Sequence, residues 1–237
     1  MALDLGSFPP AGLAVVIGAS GGIGQALQHA LILSGRFGQV LGFSRSGDGF
    51  DLTREDTIAA AAAASGATGL ALRLVIVATG LLHDGDMQPE KSLRQLDADR
   101  LARSFAINAT GPALVAKHFL PLMPREGKAV FAALSAKVGS IGDNRLGGWY
   151  GYRAAKAALN QLIHTAAIEL ARTRPDAICV TLHPGTVATA LSAPFRSSGH
   201  EPIDSAVAAD RLLSVIDGLH PSDSGLMIDH SGLPLPW

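Results

Sequence analysis

The chain has 237 residues, of which 48% are hydrophobic and 16% charged, and its formal net charge is −1 at pH 7. This length and apolar content predict a folded chain with a substantial core rather than a disordered one. The near-neutral charge argues against nucleic-acid binding, and no apolar run is long enough to predict a membrane-spanning helix. The start, MALDLGSFPP, does not resemble a secretion signal, so we expect a cytoplasmic protein. A single cysteine and widely spaced histidines argue against a disulfide framework and against a metal site.

Apolar runs typical of buried strands alternate with longer helical patterns. The strands are predicted at 13–17, 40–43, 72–78, 129–134, 178–182 and 226–228. The helices are predicted at 25–34, 97–120, 152–172 and 203–217, with a further Ala-rich helix that a capping box of Thr53 and Asp56 would open. Such alternation predicts parallel strands joined by right-handed crossovers. The expected fold is α/β, with an open, doubly wound parallel sheet flanked by helices.

A glycine-rich loop, GASGGIG at 18–24, follows the first predicted strand directly and leads into the first helix. Glycines in such a loop allow a tight turn and a close approach of the backbone to a pyrophosphate, which the helix N-terminus attracts. The spacing is G-x-x-x-G-x-G, and the simpler alternative is an ordinary glycine-rich turn. The candidate phosphate-binding residues are Gly18, Ser20, Gly22, Ile23 and Gly24.

The end of the second predicted strand bears on the choice of cofactor. An acidic residue there favours NAD because it binds the ribose hydroxyls, whereas this chain has Ser44 and Arg45. A hydroxyl and a guanidinium suit a 2′-phosphate, so NADP(H) is preferred and NAD(H) remains possible. In the alternative interpretation Arg45 is a solvated surface charge, and Asp48 or Asp51 is the nearer acid.

Tyr152 and Lys156 are four residues apart on a predicted helix and therefore project from the same face. A free tyrosine has a pKa near 10, and a neighbouring cation lowers that pKa by favouring the phenolate. The pair is thus a candidate general acid and base. Tyr150 has no such partner, because the residue four positions later is Ala154.

Taken together in chain order, these motifs resemble the short-chain dehydrogenase/reductase family, and in particular its sniffer/C-factor-like carbonyl reductase branch. The resemblance covers nearly the whole chain, residues 1–237, and implies a single Rossmann-type domain. The matching segments are the glycine loop, Ala78-Thr79-Gly80, INATGP at 107–112, the Ser135 region, Tyr152 with Lys156, and Pro184-Gly185.

The resemblance also implies roles for the matched residues. Tyr152 would exchange the proton of the substrate oxygen, Lys156 would lower the tyrosine pKa and bind the nicotinamide ribose, and Ser135 would orient the carbonyl. Asn108 would hold a water in a proton relay; its alternative role is that of a helix-kink residue. Asp51 and Leu52 would lie near the adenine. The remaining implied cofactor contacts are Ala78, Thr79, Gly80, Pro184, Gly185, Thr186, Val187 and Thr189.

The serine is the weakest of these assignments. Counting back from the glycine of the family's Ser-x-x-Gly pattern leads to Ala136, and Ser140 is a second candidate. We favour Ser135, because it follows a predicted strand at the edge where open sheets bind ligands.

The predicted function is an NADP(H)-dependent oxidoreductase that reduces a carbonyl or oxidises the matching alcohol. The rival hypothesis is a dinucleotide-binding sensor or signalling protein of the same fold with little turnover. The substrate pocket is expected at 83–95, 139–150 and 187–204. For His83 and His183 a structural or solvated role is preferred over one in lining the cleft. Small residues on the helices at 97–120 and 152–172 allow close packing, either between copies in the homodimer or homotetramer that the resemblance implies or within one chain.

Overall fold

The computed structural model describes residues 4–195 and 201–237. Its strands are β1 (Leu13–Ile17), β2 (Gln39–Phe43), β3 (Leu72–Val77), β4 (Ala129–Leu134), β5 (Ala177–His183) and β6 (Met227–Asp229). They form one sheet in the order β2-β1-β3-β4-β5-β6, and every pairing is parallel. The α/β, doubly wound fold predicted from the alternating pattern is confirmed.

Helices cover both faces of this sheet. They are α1 (Gly22–Ser34), α2 (Arg45–Asp48), α3 (Glu55–Ala67), α4 (Ala98–Phe105), α5 (Gly111–Phe119), α6 (Tyr150–Ala171) and α7 (Ser205–Gly218). The short α2 was not predicted from the sequence, and α1 begins three residues earlier than expected, within the glycine loop itself.

Strand β1 shows why helices must cover both faces of the sheet. All five of its residues are buried: Leu13, Val15 and Ile17 pack with α3, α5 and α6, whereas Ala14 and Val16 pack with α1 and α7. Successive strand residues point to opposite faces, so a strand between two helical layers must be apolar throughout.

The helix predicted over 97–120 is interrupted. The side chain of Asp97 caps α4 by accepting the backbone N–H of Arg100 at 2.9 Å, as a helix start requires. A π-helical turn at Ala106–Thr110 then separates α4 from α5. Pro112 explains the break, because its ring clashes with the carbonyl of the residue four positions earlier, Asn108, and it has no N–H to donate.

The predicted capping box at the start of the Ala-rich helix is wrong. Helix α3 begins at Glu55 after Arg54, without a side-chain cap. The Thr53 hydroxyl instead donates to the Asp51 carboxylate at 2.7 Å. Local side-chain hydrogen bonds of threonine compete with helix capping in this way.

The order of the strands places a crevice at one edge of the sheet. The chain leaves β1 toward β2 on one side and returns to β3 on the other, so the loops that follow β1 and β3 diverge there. Ligands of open α/β sheets bind at such a switch point, at the carboxyl ends of the strands. Among the residues that the structure describes, no helix is long and apolar enough to cross a membrane.

Candidate active site

The glycine loop turns sharply between β1 and α1. Gly18 has a φ of 87°, which favours glycine, and a Cβ on Gly24 would lie 2.1 Å from the Gly18 carbonyl oxygen. Gly21 caps α1 without a side chain, and the first turn of α1 carries no acidic residue. The N–H groups of Gly18, Ala19 and Gly21 bond to carbonyl oxygens. The N–H groups of the first turn of α1 and the positive end of that helix remain for an anion, as a dinucleotide pyrophosphate requires.

A cleft of about 550 Å³ opens beside this loop at the switch point. That volume lies in the range of small-molecule sites. It brings together nine of the candidate cofactor residues, namely Gly18, Ser20, Ser44, Arg45, Asp51, Leu52, Ala78, Thr79 and Gly80. Gly22, Ile23 and Gly24 do not line it, because they form the first turn of α1.

At the far end of the cleft, the two acidic residues that could have favoured NAD are engaged locally. Asp48 accepts the backbone N–H groups of Ser44 and Phe50, and Asp51 accepts the backbone N–H and the hydroxyl of Thr53. These Thr53 bonds lower the pKa of Asp51. Arg45 is exposed and has no ion pair with any described residue.

The middle of the cleft is formed by Ala78-Thr79-Gly80 after β3. The Thr79 hydroxyl oxygen is buried and has no hydrogen-bond partner among the described residues. A buried hydroxyl without a partner is costly, so this atom is poised to bind a polar group within the cleft. Together with the glycine cradle and Arg45, it makes the site fit a dinucleotide.

Tyr152 and Lys156 project together from α6 next to this cleft. The Lys156 Nζ lies 5.7 Å from the centre of the Tyr152 ring and donates to the Leu134 carbonyl at 2.8 Å. It would lie 4.0 Å from a Cβ on Gly80. The pair thus reaches the cleft at the end where Gly80 lies.

Burial controls the protonation of both groups. It lowers the pKa of Lys156 to about 7 and raises the pKa of Tyr152 above its usual value. The raised pKa of Tyr152 is caused by burial alone, so the lowering of that pKa by Lys156 stays a prediction. The tyrosine is held as a neutral phenol at neutral pH, which is the form that donates a proton.

Asn108 lies at the centre of the π-helical turn. Its two predicted roles are to hold a water in a proton relay and to kink the helix. Its side chain is fully buried and clamps Leu81, accepting the backbone N–H at 2.9 Å and donating to the carbonyl at 2.7 Å. A Cβ on Gly80 would lie 3.7 Å from its Oδ1, on the side where Lys156 lies. Asn108 is therefore a kink residue that also fixes the loop after β3 beside Lys156.

Ser135 does not offer its proton to the cleft. It is buried, and its hydroxyl donates to Asn160 Oδ1 at 2.7 Å. The expectation that Ser135 orients a carbonyl is not supported by this geometry, because the hydroxyl has one proton and that proton is engaged. Ser140 is also buried, and its oxygen accepts the Asp143 backbone N–H at 3.1 Å.

The residues after β5 meet the glycine loop from the opposite side. A Cβ on Gly22 would lie 3.1 Å from the Thr189 methyl, so Thr189 reaches the start of α1. Pro184, Gly185 and Thr186 lead toward this contact, whereas the Val187 side chain is buried and leaves only its backbone for a ligand.

Comparison with known proteins agrees with this arrangement. Residues 48–214 match a family model described as Enoyl-(Acyl carrier protein) reductase. The chain is 34% identical over 190 residues to the 1-hydroxy-2-glutathionyl-2-methyl-3-butene dehydrogenase of Rhodococcus sp. (strain AD45), covering 80% of this chain and 79% of that protein. It is 36% identical over 147 residues to the C-signal protein of Myxococcus xanthus, covering 62% and 84%. A short-chain dehydrogenase of Neurospora crassa, srdF, is 29% identical over 165 residues, covering 66% and 64%.

The chain belongs to the short-chain dehydrogenase/reductase family. It is an oxidoreductase by that membership.

Solved structures agree on the fold of this short-chain dehydrogenase/reductase. The carbonyl reductase Sniffer of D. melanogaster superposes with a TM-score of 0.81 at 22% identity, covering 96% of this chain and 100% of that chain. An NADPH-bound carbonyl reductase from chicken fatty liver superposes with a TM-score of 0.82 at 24% identity, covering 96% and 95%.

Sequence reasoning missed Glu90, a buried residue of this short-chain dehydrogenase/reductase that holds the start of α6. Its carbonyl accepts the Trp149 N–H at 2.5 Å, and its carboxylate accepts the Gly151 N–H at 3.0 Å. These contacts lie just before Tyr152. The sequence signal was weak, because Glu90 is 61 residues from Gly151 and lies in a segment without a regular pattern.

Aromatic residues near Tyr152 were also missed or undervalued, namely Trp149, Phe195 and His83. They lie within the three segments expected to form the substrate pocket. Of those segments, residues 196–200 lie outside the part of the chain that the structure describes.

Proposed function

We propose that this protein is an NADP(H)-dependent carbonyl reductase in which Tyr152 donates a proton to the substrate oxygen. The observation that carries the proposal is the position of the Tyr152 and Lys156 pair at the Gly80 end of the cleft. Asn108 packs on the same glycine as Lys156, and the Tyr152 ring lies 5.7 Å from the Lys156 Nζ.

The cleft residues divide the binding of the cofactor between them. The glycine loop with Thr189 would hold the pyrophosphate, Arg45 the 2′-phosphate, and Lys156 the nicotinamide ribose. When bound, the nicotinamide supplies a hydride. The free guanidinium of Arg45 and the engaged carboxylates of Asp48 and Asp51 support NADP(H) over NAD(H). The NADPH and NADP present in similar solved structures agree with this choice.

Tyr152 acts as the general acid. Burial raises the pKa of its phenol, so the proton is present at neutral pH and is available to the carbonyl oxygen. Lys156, with a pKa lowered to about 7 by burial, can return a proton toward Tyr152 after the reaction.

The catalytic assignment is tested by Tyr152→Phe beside Tyr150→Phe. The latter is a matched control, because Tyr150 is exposed on the same helix two residues earlier. With NADPH and a panel of aldehydes, ketones and quinones, we expect loss of nicotinamide absorbance that falls by about 10²-fold or more in Tyr152→Phe alone. Equal activity of the two variants would overturn the role of Tyr152. Tight NADPH binding without turnover on any carbonyl would instead favour a dinucleotide-binding sensor. The similarity to C-signal is the reason for testing that rival function.

The cofactor assignment is tested by Arg45→Ala. We expect the Kd for NADPH to rise about 10- to 100-fold, because a charged hydrogen bond is lost, and the Kd for NADH to stay unchanged. Arg54→Ala is the control, since Arg54 is exposed and paired with Asp56. An equal effect of Arg45→Ala on both cofactors would contradict recognition of the 2′-phosphate.

The homodimer or homotetramer stays a prediction, as does the cytoplasmic location. Leu162 and Ile168 are exposed on α6, which supports a contact between copies through this helix. Light scattering coupled to size exclusion, with Leu162→Gln as the variant, would detect the assembly and its loss.

A further inference from the structure

An aromatic wall stands beside the catalytic tyrosine. The Trp149 ring lies 6.4 Å from the Tyr152 ring, nearly edge-on, and 5.4 Å from the Phe195 ring. The His83 ring lies 5.7 Å from Phe195 and lines the cofactor cleft. Trp149, Phe195 and His83, which we call the aromatic wall, thus run from the tyrosine back to the cleft.

The wall is held in place before any substrate arrives. Trp149 has a φ of 53°, a left-handed conformation that is costly for a bulky residue, and Glu90 holds it by accepting its N–H. His83 Nε2 lies 3.2 Å from the Ala190 carbonyl oxygen, which fixes the imidazole. Strained conformations persist where the surroundings enforce them and are concentrated at ligand sites.

The wall offers π surfaces rather than charge. Trp149 and Phe195 are both half-buried, so part of each ring is accessible. Among the described residues no lysine or arginine lies over either ring; the cation–π contacts involve Phe8 and Tyr152 instead. The rings meet at angles of 58–72°, which leaves faces and edges for another ring to complete the same tilted arrangement.

We propose that the substrate carbonyl is attached directly to a planar aromatic ring, as in aryl aldehydes and aryl ketones. The aromatic ring packs on Trp149 and Phe195, and the carbonyl oxygen lies at the Tyr152 hydroxyl. This inference rests on the proposed function. In the reaction the carbonyl carbon gains a C–H bond from the hydride and the oxygen gains an O–H bond from the Tyr152 proton. The product is an aryl carbinol, and NADPH loses two electrons with the hydride to become NADP⁺.

Matched substrates test the inference. Benzaldehyde is compared with cyclohexanecarbaldehyde, and acetophenone with 1-cyclohexylethanone, by kcat/KM in wild type, Trp149→Leu and Trp149→Phe. The measure is the aryl-to-cyclohexyl ratio in each variant, which removes differences in intrinsic reactivity. We expect the ratio to fall about tenfold in Trp149→Leu, because aromatic contacts are lost, and to stay within about threefold in Trp149→Phe. A ratio that is equal in all three proteins, with turnover intact, overturns the inference and leaves the reductase function standing.

A second measurement does not depend on turnover. The chain has two tryptophans, so Trp237→Phe leaves Trp149 as the single tryptophan, which can be excited selectively beside the two tyrosines. We expect 1-phenylethanol to change its emission saturably, and 1-cyclohexylethanol to change it at least tenfold more weakly at equal concentration. This result without turnover would support the aromatic site while the reductase function fails. Equal responses to both alcohols would overturn the aromatic site.

Discussion

Ser135 and Ala136 are neighbours with different environments. The Ser135 backbone N–H donates to the Leu182 carbonyl and so continues the hydrogen bonds between β4 and β5. The Ser135 side chain points into the interior toward Asn160. Ala136 is half-buried and extended, with φ −148° and ψ 144°. Side chains of successive extended residues point in opposite directions, so we expect the Ala136 side chain to face away from Asn160.

Two substitutions separate these residues. Ser135→Ala is expected to leave kcat within about threefold of wild type and to lower the free energy of unfolding by about 1–3 kcal/mol, since Asn160 loses its donor. Ala136→Ser is expected to raise kcat about tenfold by adding a donor to the carbonyl oxygen. Steady-state kinetics with NADPH and urea unfolding measure both effects. A loss of more than 100-fold in Ser135→Ala would restore Ser135 as the carbonyl-orienting residue.

At this scale the sequence predicted local motifs better than distant contacts. The glycine loop and the i, i+4 spacing of Tyr152 and Lys156 are fixed by chain neighbours, and the structure places both as expected. The partner of the Ser135 hydroxyl is 25 residues away, so no local pattern could show that its proton is engaged. For the same reason the effect of burial on the Tyr152 pKa was not foreseen.

Helix α6 depends on a residue outside it for its first turn. An N-terminal turn leaves backbone N–H groups without partners, and α6 has no side-chain cap of its own at Trp149. Glu90 supplies the acceptor for Gly151, and its negative charge also lies at the positive end of the helix. A side chain on Gly151 would displace the Glu90 carboxylate, since a Cβ there would lie 2.9 Å from Glu90 Oε1.

Glu90 is therefore expected to act as a positioning residue for Tyr152. In Glu90→Gln, we expect kcat to fall about tenfold while the KM for NADPH stays unchanged, because the cofactor cleft is built by other loops. The Tm is expected to fall by about 2–4 °C for a loss near 1 kcal/mol. Glu169→Gln, exposed near the opposite end of α6, is the control. A parallel change in kcat and in the KM for NADPH would indicate general disruption instead of positioning.

The interruption between α4 and α5 marks the limit of prediction for elements. Apolar spacing predicts one helix over 97–120, and Pro112 in the sequence signals a break. The sequence does not show whether the helix kinks or widens at that break. The structure widens into a π-helical turn, which buries Asn108 and lets it clamp Leu81. Only the three-dimensional contact with the loop after β3 explains that outcome.

For the whole molecule, the alternation of strand and helix was enough to predict a parallel sheet, because both faces of such a sheet must be covered. The position of β3 beside β1 is not encoded in any single segment. It arises where the crossovers change direction, and that position creates the cleft. The substrate pocket was less predictable, since Trp149, Phe195 and His83 come from three separate loops.

Buried titratable groups give the stability of the whole molecule a characteristic pH dependence. Burial lowers the pKa of His183 to about 4 and of Lys156 to about 7, so the unfolded chain binds more protons between pH 4 and 6.5 and again between pH 7 and 10.5. Stability therefore rises with pH in both windows. Burial raises the pKa of Cys179 from 9 to about 12 and also raises that of Tyr152 from 10, so these two groups lower stability as the pH rises above 9 and above 10. Between pH 9 and 10 the loss from Cys179 offsets the gain from Lys156, and the free energy of unfolding is expected to reach its maximum there.

Lys156→Met tests the larger part of this profile. The substitution removes a buried ammonium whose cost is greatest below its pKa, so the variant is expected to be more stable than wild type at pH 7 by about 2 kcal/mol. The difference should shrink as the pH rises toward 10.5, because the proton that the unfolded wild-type lysine still holds costs less to release at higher pH. Urea unfolding from pH 6 to 10 measures the difference, with exposed Lys91→Met as the control. A variant that is less stable than wild type at every pH would show that the hydrogen bond from Lys156 to Leu134 outweighs the burial of its charge.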